Sequence, residues 1–413
     1  VDGSVEDAKS VTIRGEGGFA TKNNQLRNGV YNDNSKIISL STKIEGTGGK
    51  GINKVDTSDG VSLWKSLIKT DVLLIKGFAG GEAQKVDTST GVYSSDSRLK
   101  ASEVLIEGTG GKGISTLDTS DGVGLWDSLI KTDVLLIKGF AGGKAKKVES
   151  STGVYSSDSR FKASEVLIKG FSGYGEKLKF SHGVDFSSTK LFADTIDIIG
   201  RPSQDDIDVL VPGAGSSVAW GKFNQGISIQ NQSELTASDV LRLRGTGGNG
   251  ISYLDGIDIG NSSIKAGTSL RMVGTGGSGD DLSSTTGIIV LDRARVSSPA
   301  IKMVGRGGRS TATKNFEASE THLNDGIYLE NSTISSKPSD LDFGLTSKRY
   351  PVVLKGYGGE ISVEDGIDFD GGDLNSGVVL WNTKFVGDGS SKIKGFAGKP
   401  PKGLSLIHIS EHT

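Results

Sequence analysis

Ile44-Glu45-Gly46-Thr47-Gly48-Gly49-Lys50-Gly51 returns as Ile106-Glu107-Gly108-Thr109-Gly110-Gly111-Lys112-Gly113, and the match runs far past these eight residues. Residues 44–105 and 106–167 align without gaps over 62 positions and differ at ten. Lys65 stands against Asp127 and Glu82 against Lys144. Charge reversals between near-identical copies place those side chains in solvent, where a sign change costs little. Leu99 stands against Phe161, a position that asks only for an apolar group.

Each block holds two smaller units. An apolar run ends in glycine at Gly15, Gly46, Gly77, Gly108, Gly139 and Gly170, each 31 residues after the last. The marker continues at looser spacing at Gly200, Gly245, Gly274, Gly305, Gly356 and Gly395. A second ladder precedes a β-branched residue at Gly29, Gly60, Gly91, Gly122 and Gly153, and is read onward through Gly183, Gly226, Gly256, Gly287, Gly326 and Gly366. A weaker marker puts Ser two residues before an aliphatic side chain, as in Ser35/Ile37, Ser66/Ile68, Ser128/Ile130 and Ser332/Ile334. Three short strands per coil follow.

The runs are too short for helices and rich in β-formers, as in Val72-Leu73-Leu74-Ile75. A single coil has no means of burying its inward side chains or pairing its backbone. Stacked on like neighbours, it does both. The expected fold is all-β, a right-handed single-stranded parallel β-helix of the pectin-lyase-like kind, with about 31 residues per coil and about twelve coils. At ~4.8 Å per coil the rod is roughly 55–60 Å long. Glycine is expected at positive φ or at a tightly packed corner. Propeller blades run to longer repeats with their own signatures, and a leucine-rich repeat carries a Leu/Asn consensus that is missing here.

Composition agrees. Glycine supplies 62 of 413 residues and proline 7, which excludes a collagen or Pro-rich linker. Lys and Arg total 47 against 49 Asp and Glu, and no run of Lys or Arg marks a nucleic-acid face. Cysteine is absent, so stability rests on repetition instead of disulfides. No apolar run approaches the ~20 residues of a membrane helix. The chain opens Val1-Asp2-Gly3 and is inside the repeat by Val11-Thr12-Ile13, and Leu404-Ser405-Leu406-Ile407-His408-Ile409-Ser410 resembles a translated sequencing adapter. Residues 1–403 are therefore read as one solenoid cut from a longer chain, and 404–413 as lying outside the fold.

Coil length loosens after Gly170, and extra residues are expected as loops near 201–222, 306–325, 336–350 and 367–392. Arg201 with Asp205, Asp206 and Asp208 is the nearest candidate for a carboxylate pair of the kind that cleaves polysaccharides, followed by Asp368 and Asp370. So many Asp in turns weigh against that reading, and no catalytic, metal or cofactor site is assigned. Gly46–Gly51 fits the dinucleotide GxGxxG pattern, as do Gly108–Gly113, Gly245–Gly250 and Gly274–Gly279. Each recurs as a turn between strands, without the helix a pyrophosphate site needs. Gly276-Gly277-Ser278-Gly279-Asp280-Asp281 resembles one calcium nonapeptide, yet stands alone. Asp59, Asp121, Asp255, Asp325 and Asp365 before glycine read as ordinary turn chemistry. His182 and His322 are the histidines outside the tail, each expected on a turn. Trp64 and Trp126 suggest a sugar-stacking row, but Asp33, Ser95 and Ser157 at the equivalent places break it.

The strand-Gly-Thr-Gly-Gly turn, the Gly-Ile/Val-x-Leu strand and the Ser-x-Ile strand resemble the repeats of filamentous-haemagglutinin-like exoproteins over most of residues 10–399. The resemblance implies a shaft exported by two-partner secretion and displayed at the cell surface. Its implied partners are host or neighbouring-cell glycans or proteins, and an outer-membrane transporter that would act through an N-terminal domain not in this sequence. The expected function is a non-catalytic, extracellular adhesive shaft. The alternatives are a carbohydrate-active enzyme with its site on the inserted loops, and an autotransporter passenger.

Overall fold

The computed structural model describes residues 3–398, except 21–25, 82, 144, 174–177, 203–220, 281–283, 313–315, 318–323, 337–351, 364–368, 371–374 and 387–390. Among the described residues there is no helix. Parallel strands stack into sheets of 20, 11 and 10 members around one elongated core, which makes the chain a parallel β-helix. Strands about 31 residues apart pair directly: Val61-Ser62-Leu63-Trp64 lies in register with Val92-Tyr93-Ser94-Ser95 and then with Val123-Gly124-Leu125-Trp126.

Alternation decides which side chains go inward. In Val61–Trp64 the first and third residues face the core, and Val61 and Leu63 are fully buried. On the 20-stranded sheet Ile44, Ile75, Ile106, Ile137, Ile168, Ile198, Leu243, Met272, Met303 and Leu354 form one continuous inward column. Each fully buried aliphatic of this kind contributes about 1.5–3 kcal/mol. Leu99 and Phe161 are both 1 % exposed in stacked coils, so the core accepts either ring or branch. A smaller cluster of Val55, Val86, Leu117, Val148 and Leu178 lies under the 10-stranded sheet.

The glycine ladders are required by closeness. A Cβ on Gly108 would meet the carbonyl oxygen of Gly122 at 1.9 Å, and one on Gly274 would meet that of Gly287 at the same distance. No ladder glycine has positive φ; the described glycines that do are Gly3, Gly81 and Gly143. Left-handed backbone falls instead on the residue that follows each strand of the 11-stranded sheet: Asn34, Lys65, Asp96, Asp127, Asp158, Ser188, Asn231, Asn261, Asp292, Asn331 and Asn382. Asn and Asp tolerate this geometry best. The Ser two residues before each aliphatic staples the next corner. Ser66 Oγ donates to the Trp64 carbonyl at 2.9 Å, and Ser97 Oγ accepts from the Ser66 amide at 3.1 Å.

Three expectations need correction. The second glycine ladder ends at Gly377, whose neighbour Val378 pairs with Ile327; Gly366 lies outside the described residues. The extra residues of that coil therefore precede the strand, and Trp381 belongs to strand Val378–Trp381. The expected loop 306–325 holds strand Arg309–Ala312 and the two-residue strand Phe316–Glu317, which pairs with Phe369–Asp370. Within the expected loop 201–222, Arg201 and Pro202 finish a strand and Gly221–Phe223 begins another. Most of 336–350 and the whole of 404–413 lie outside the described residues.

Candidate functional site

The Asp-Gly residues are not surface turns. Asp59, Asp121, Asp255 and Asp325 are at most 3 % exposed. Each carboxylate accepts a backbone N–H from the coil ahead: Thr90 and Thr152 at 2.9 Å, Thr286 at 2.9 Å, Ser376 at 2.8 Å. Thr90, Thr152 and Thr286 occupy the same rung one coil on, which keeps buried carboxyls from stacking directly. Burial raises Asp59 to about 6, against hydrogen bonds from Ser62 and Thr90. It raises Asp121 to about 7 and Asp255 to about 8, the latter helped by the charge of Asp258. Asp255 is thus held as the neutral acid near pH 7.

His182 takes a rung of the same ladder between Thr152 and Gln225, so it is an interior residue and not a turn one. It is 8 % exposed, burial lowers its pKa against the pull of Asp185, and its Nδ1 has no hydrogen-bond partner among the described residues. Next to it Gln225 Nε2 donates to Asp258 Oδ2 at 2.7 Å. Burial raises Asp258 to about 6. These groups are spread along the coil axis; no group of three or more His, Asp or Glu placed to hold a metal occurs among the described residues.

The tryptophan row is continuous. Ring centroids run Trp64–Tyr93 at 5.4 Å, Tyr93–Trp126 at 5.0 Å and Trp126–Tyr155 at 4.8 Å. Tyr93 and Tyr155 come from the second position of their strands and the tryptophans from the fourth. Trp126 folds back over Gly124, where a Cβ would meet its ring at 2.4 Å. Each inner ring lies between two others, so its faces are spent on neighbouring rings. The row serves as an outer spine that packs four coils together.

The charged faces differ in kind. Strands of the 11-stranded sheet hold no Lys or Arg and four acids: Asp33, Asp185, Asp258 and Glu330. On the 20-stranded sheet the early coils alternate, with Glu45, Lys76, Glu107 and Lys138 in one outward column and a Lys76–Glu107 pair at 3.0 Å. Later coils do not alternate. Arg242, Arg271 and Lys302 stack on three successive coils, all exposed, and none forms an ion pair among the described residues. From Ser263 to Phe396 the strands of this sheet hold nine Lys or Arg and no Asp or Glu. Tyr357 and Phe396 stack at 4.9 Å beside them, with Lys355 5.3 Å and Arg306 5.7 Å from the Tyr357 ring. No stripe is visible along the sequence, because these cations are about 30 residues apart and meet only across coils.

Of the candidate polysaccharide-cleaving residues, Arg201 is exposed at a strand end, in register with Phe171. Asp205, Asp206, Asp208, Asp368, Asp365 and His322 lie outside the described residues. Asp370 pairs through its backbone with Glu317. An open polar groove of about 930 Å³ follows the corner lined by Asn231, Asn261, Asp292, Arg293 and Asn331. No helix among the described residues is long and apolar enough to cross a membrane. No family model, curated protein or solved structure matches this chain.

Proposed function

We propose that this chain is a section of the shaft of a secreted bacterial surface adhesin of filamentous-haemagglutinin-like type, non-catalytic and extracellular. One observation carries the reading. Glycine stays opposite glycine from Gly15 through Gly395 even where the sequence between them lengthens, as in Gly200 with Gly245, Gly305 with Gly356 and Gly356 with Gly395. A chain that absorbs insertions without losing its stack keeps length and continuity, which are the properties of a spacer. The proposed partners are glycans or proteins of a neighbouring surface, with export through an outer-membrane transporter.

The test is retention under flow. The chain is fused to a surface anchor on a non-adherent bacterium, and detachment from a biofilm-coated wall is compared with that of the anchor alone. Greater retention supports the shaft reading, and equal retention contradicts it.

A further inference from the structure

We propose that the outer face of the 20-stranded sheet from Arg242 to Lys394 binds an acidic polysaccharide bearing carboxylates along its length, such as a polyuronate. The proposal names what the shaft holds. It rests on the shaft reading only for its setting, since binding by the isolated chain is measured independently of adhesion.

The argument starts from a cost. Like charges directly opposite on paired strands destabilise a sheet, yet Arg242, Arg271 and Lys302 sit opposite one another on three successive coils. In the same sheet the early coils place no three cations in succession at the centre of the face, where Lys138 opposite Lys169 is the one like-charged pair. Their outward leucines Leu74, Leu105, Leu136 and Leu167 fill the equivalent column, and the next column alternates in sign from Arg14 to Lys138 before Lys169 follows. Lys69, Lys100, Lys131 and Lys162 do stack at the flank. Each of these is followed within three residues by a carboxylate, namely Asp71, Glu103, Asp133 and Glu165. On the later coils Arg271, Arg295, Lys302, Lys355 and Lys394 stand on strands free of acids. No carboxylate follows any of the five within three residues. The chain as a whole carries a net charge of −2, so the concentration of cations on one face is local and not compositional.

Spacing selects the ligand. Cations in a column repeat every ~4.8 Å, and an extended polyuronate offers one carboxylate per sugar at a similar rise. Arg meets a carboxylate with two parallel N–H donors, a geometry Lys lacks. A strand of duplex DNA spaces its phosphates at about 3.4 Å, and this flat face has no element to enter a groove. Tyr357 and Phe396 add an apolar border on which a sugar ring can rest. Arg244 is already engaged by Asp197 at 2.5 Å and marks where the face begins.

The experiment measures binding of the whole chain to polygalacturonate by titration calorimetry at about 50 mM salt, where exposed charges are only partly screened. The variant is Arg271→Thr, Lys302→Thr and Lys355→Thr together; threonine suits an exposed strand position. The control is Lys54→Thr, Lys85→Thr and Lys179→Thr on the 10-stranded sheet, which removes the same charge elsewhere. Circular dichroism of both variants checks that the fold is kept. The expected result is saturable binding that weakens by about tenfold in the first variant and less than about twofold in the control. Three results overturn the proposal: no saturable binding, equal losses in the two variants, or tighter binding to duplex DNA or heparin at matched charge concentration.

Discussion

The duplicated coils of residues 44–167 and the later coils from 240 to 396 share an interior and differ outside. Both put a buried aliphatic or Met at the same inward rung, Ile75 and Ile106 in one, Met272 and Met303 in the other. In both, a Cβ added to a ladder glycine would meet a carbonyl oxygen at 1.9 Å, as at Gly108 and Gly274. Outside, the first region pairs Lys76 with Glu107 and packs Trp64, Tyr93, Trp126 and Tyr155 into a spine, while the second stacks Arg242, Arg271 and Lys302. The inward pattern therefore specifies the solenoid, and the outward columns are free to vary with what each region meets.

If the interior is shared, breaking it should hurt both regions alike. Gly108→Ala and Gly274→Ala each drive a methyl into backbone that has no side chain to yield, and each should cost about 3 kcal/mol or more in urea unfolding. A tolerated alanine at either site would separate the two regions at the level of the core.

The buried acid ladder runs through both regions and sets the next effect. Asp59, Asp121 and Asp255 have folded pKa values of about 6, 7 and 8, above the ordinary 3.8 of an Asp. A carboxyl raised in this way favours the folded state fully below the unfolded value, and that contribution is lost as pH rises through the folded one. The melting temperature should fall as pH rises from 3.8 to about 8; His182, lowered from 6.5, works in the opposite sense below about 6.5, where the unfolded state binds a proton that the folded state does not. Asp255→Asn should flatten that fall, because Asn28 already fills the equivalent rung and accepts the Asp59 amide at 3.0 Å. A slope unchanged in the variant would remove Asp255 from the account.

Charge reversal sharpens the difference outside. Lys76→Glu should destabilise by about 0.5–1 kcal/mol, since it sets a third carboxylate between Glu45 and Glu107 in one column. Lys302→Glu should stabilise by about 0.5 kcal/mol by relieving Arg271. Equal signs for the two variants in thermal melts would mean the two faces are not electrostatically distinct. The smallest effect belongs to Lys65, which holds φ 46 where every other coil but that of Ser188 places Asn or Asp. Lys65→Asn should gain at most about 0.5 kcal/mol. No gain would mean that the stacked neighbours, and not residue type, bear the corner's cost.

The fold is legible because its rule is periodic. Ladders of Gly and Val at one interval require stacking, and the Leu99/Phe161 pair marks a core position. Where insertions interrupt the interval, the sequence misleads: it points to Gly366 where the fold uses Gly377, since nothing local tells which side of the strand the extra residues fall on. The candidate surfaces are hidden for a different reason. Arg242, Arg271 and Lys302 are neighbours only after stacking, and the aromatic spine joins Trp and Tyr from different strand positions. Asp59 before Gly60 has the signature of a turn, and only the coil ahead, with the Thr90 amide waiting, makes it a buried one. Comparing like residues one coil apart at outward positions would have found the basic columns.

The most direct test of the stacked-coil account is a distance between labels. The chain has no cysteine, so Lys76→Cys and Lys355→Cys can carry spin labels without background. These two positions share an outward column and are joined by eight successive strand pairings. Pulsed electron paramagnetic resonance should give one narrow distribution near ~40 Å, as eight rises of ~4.8 Å require. A peak well below about 30 Å, or a broad spread across that range, would contradict a continuous parallel stack.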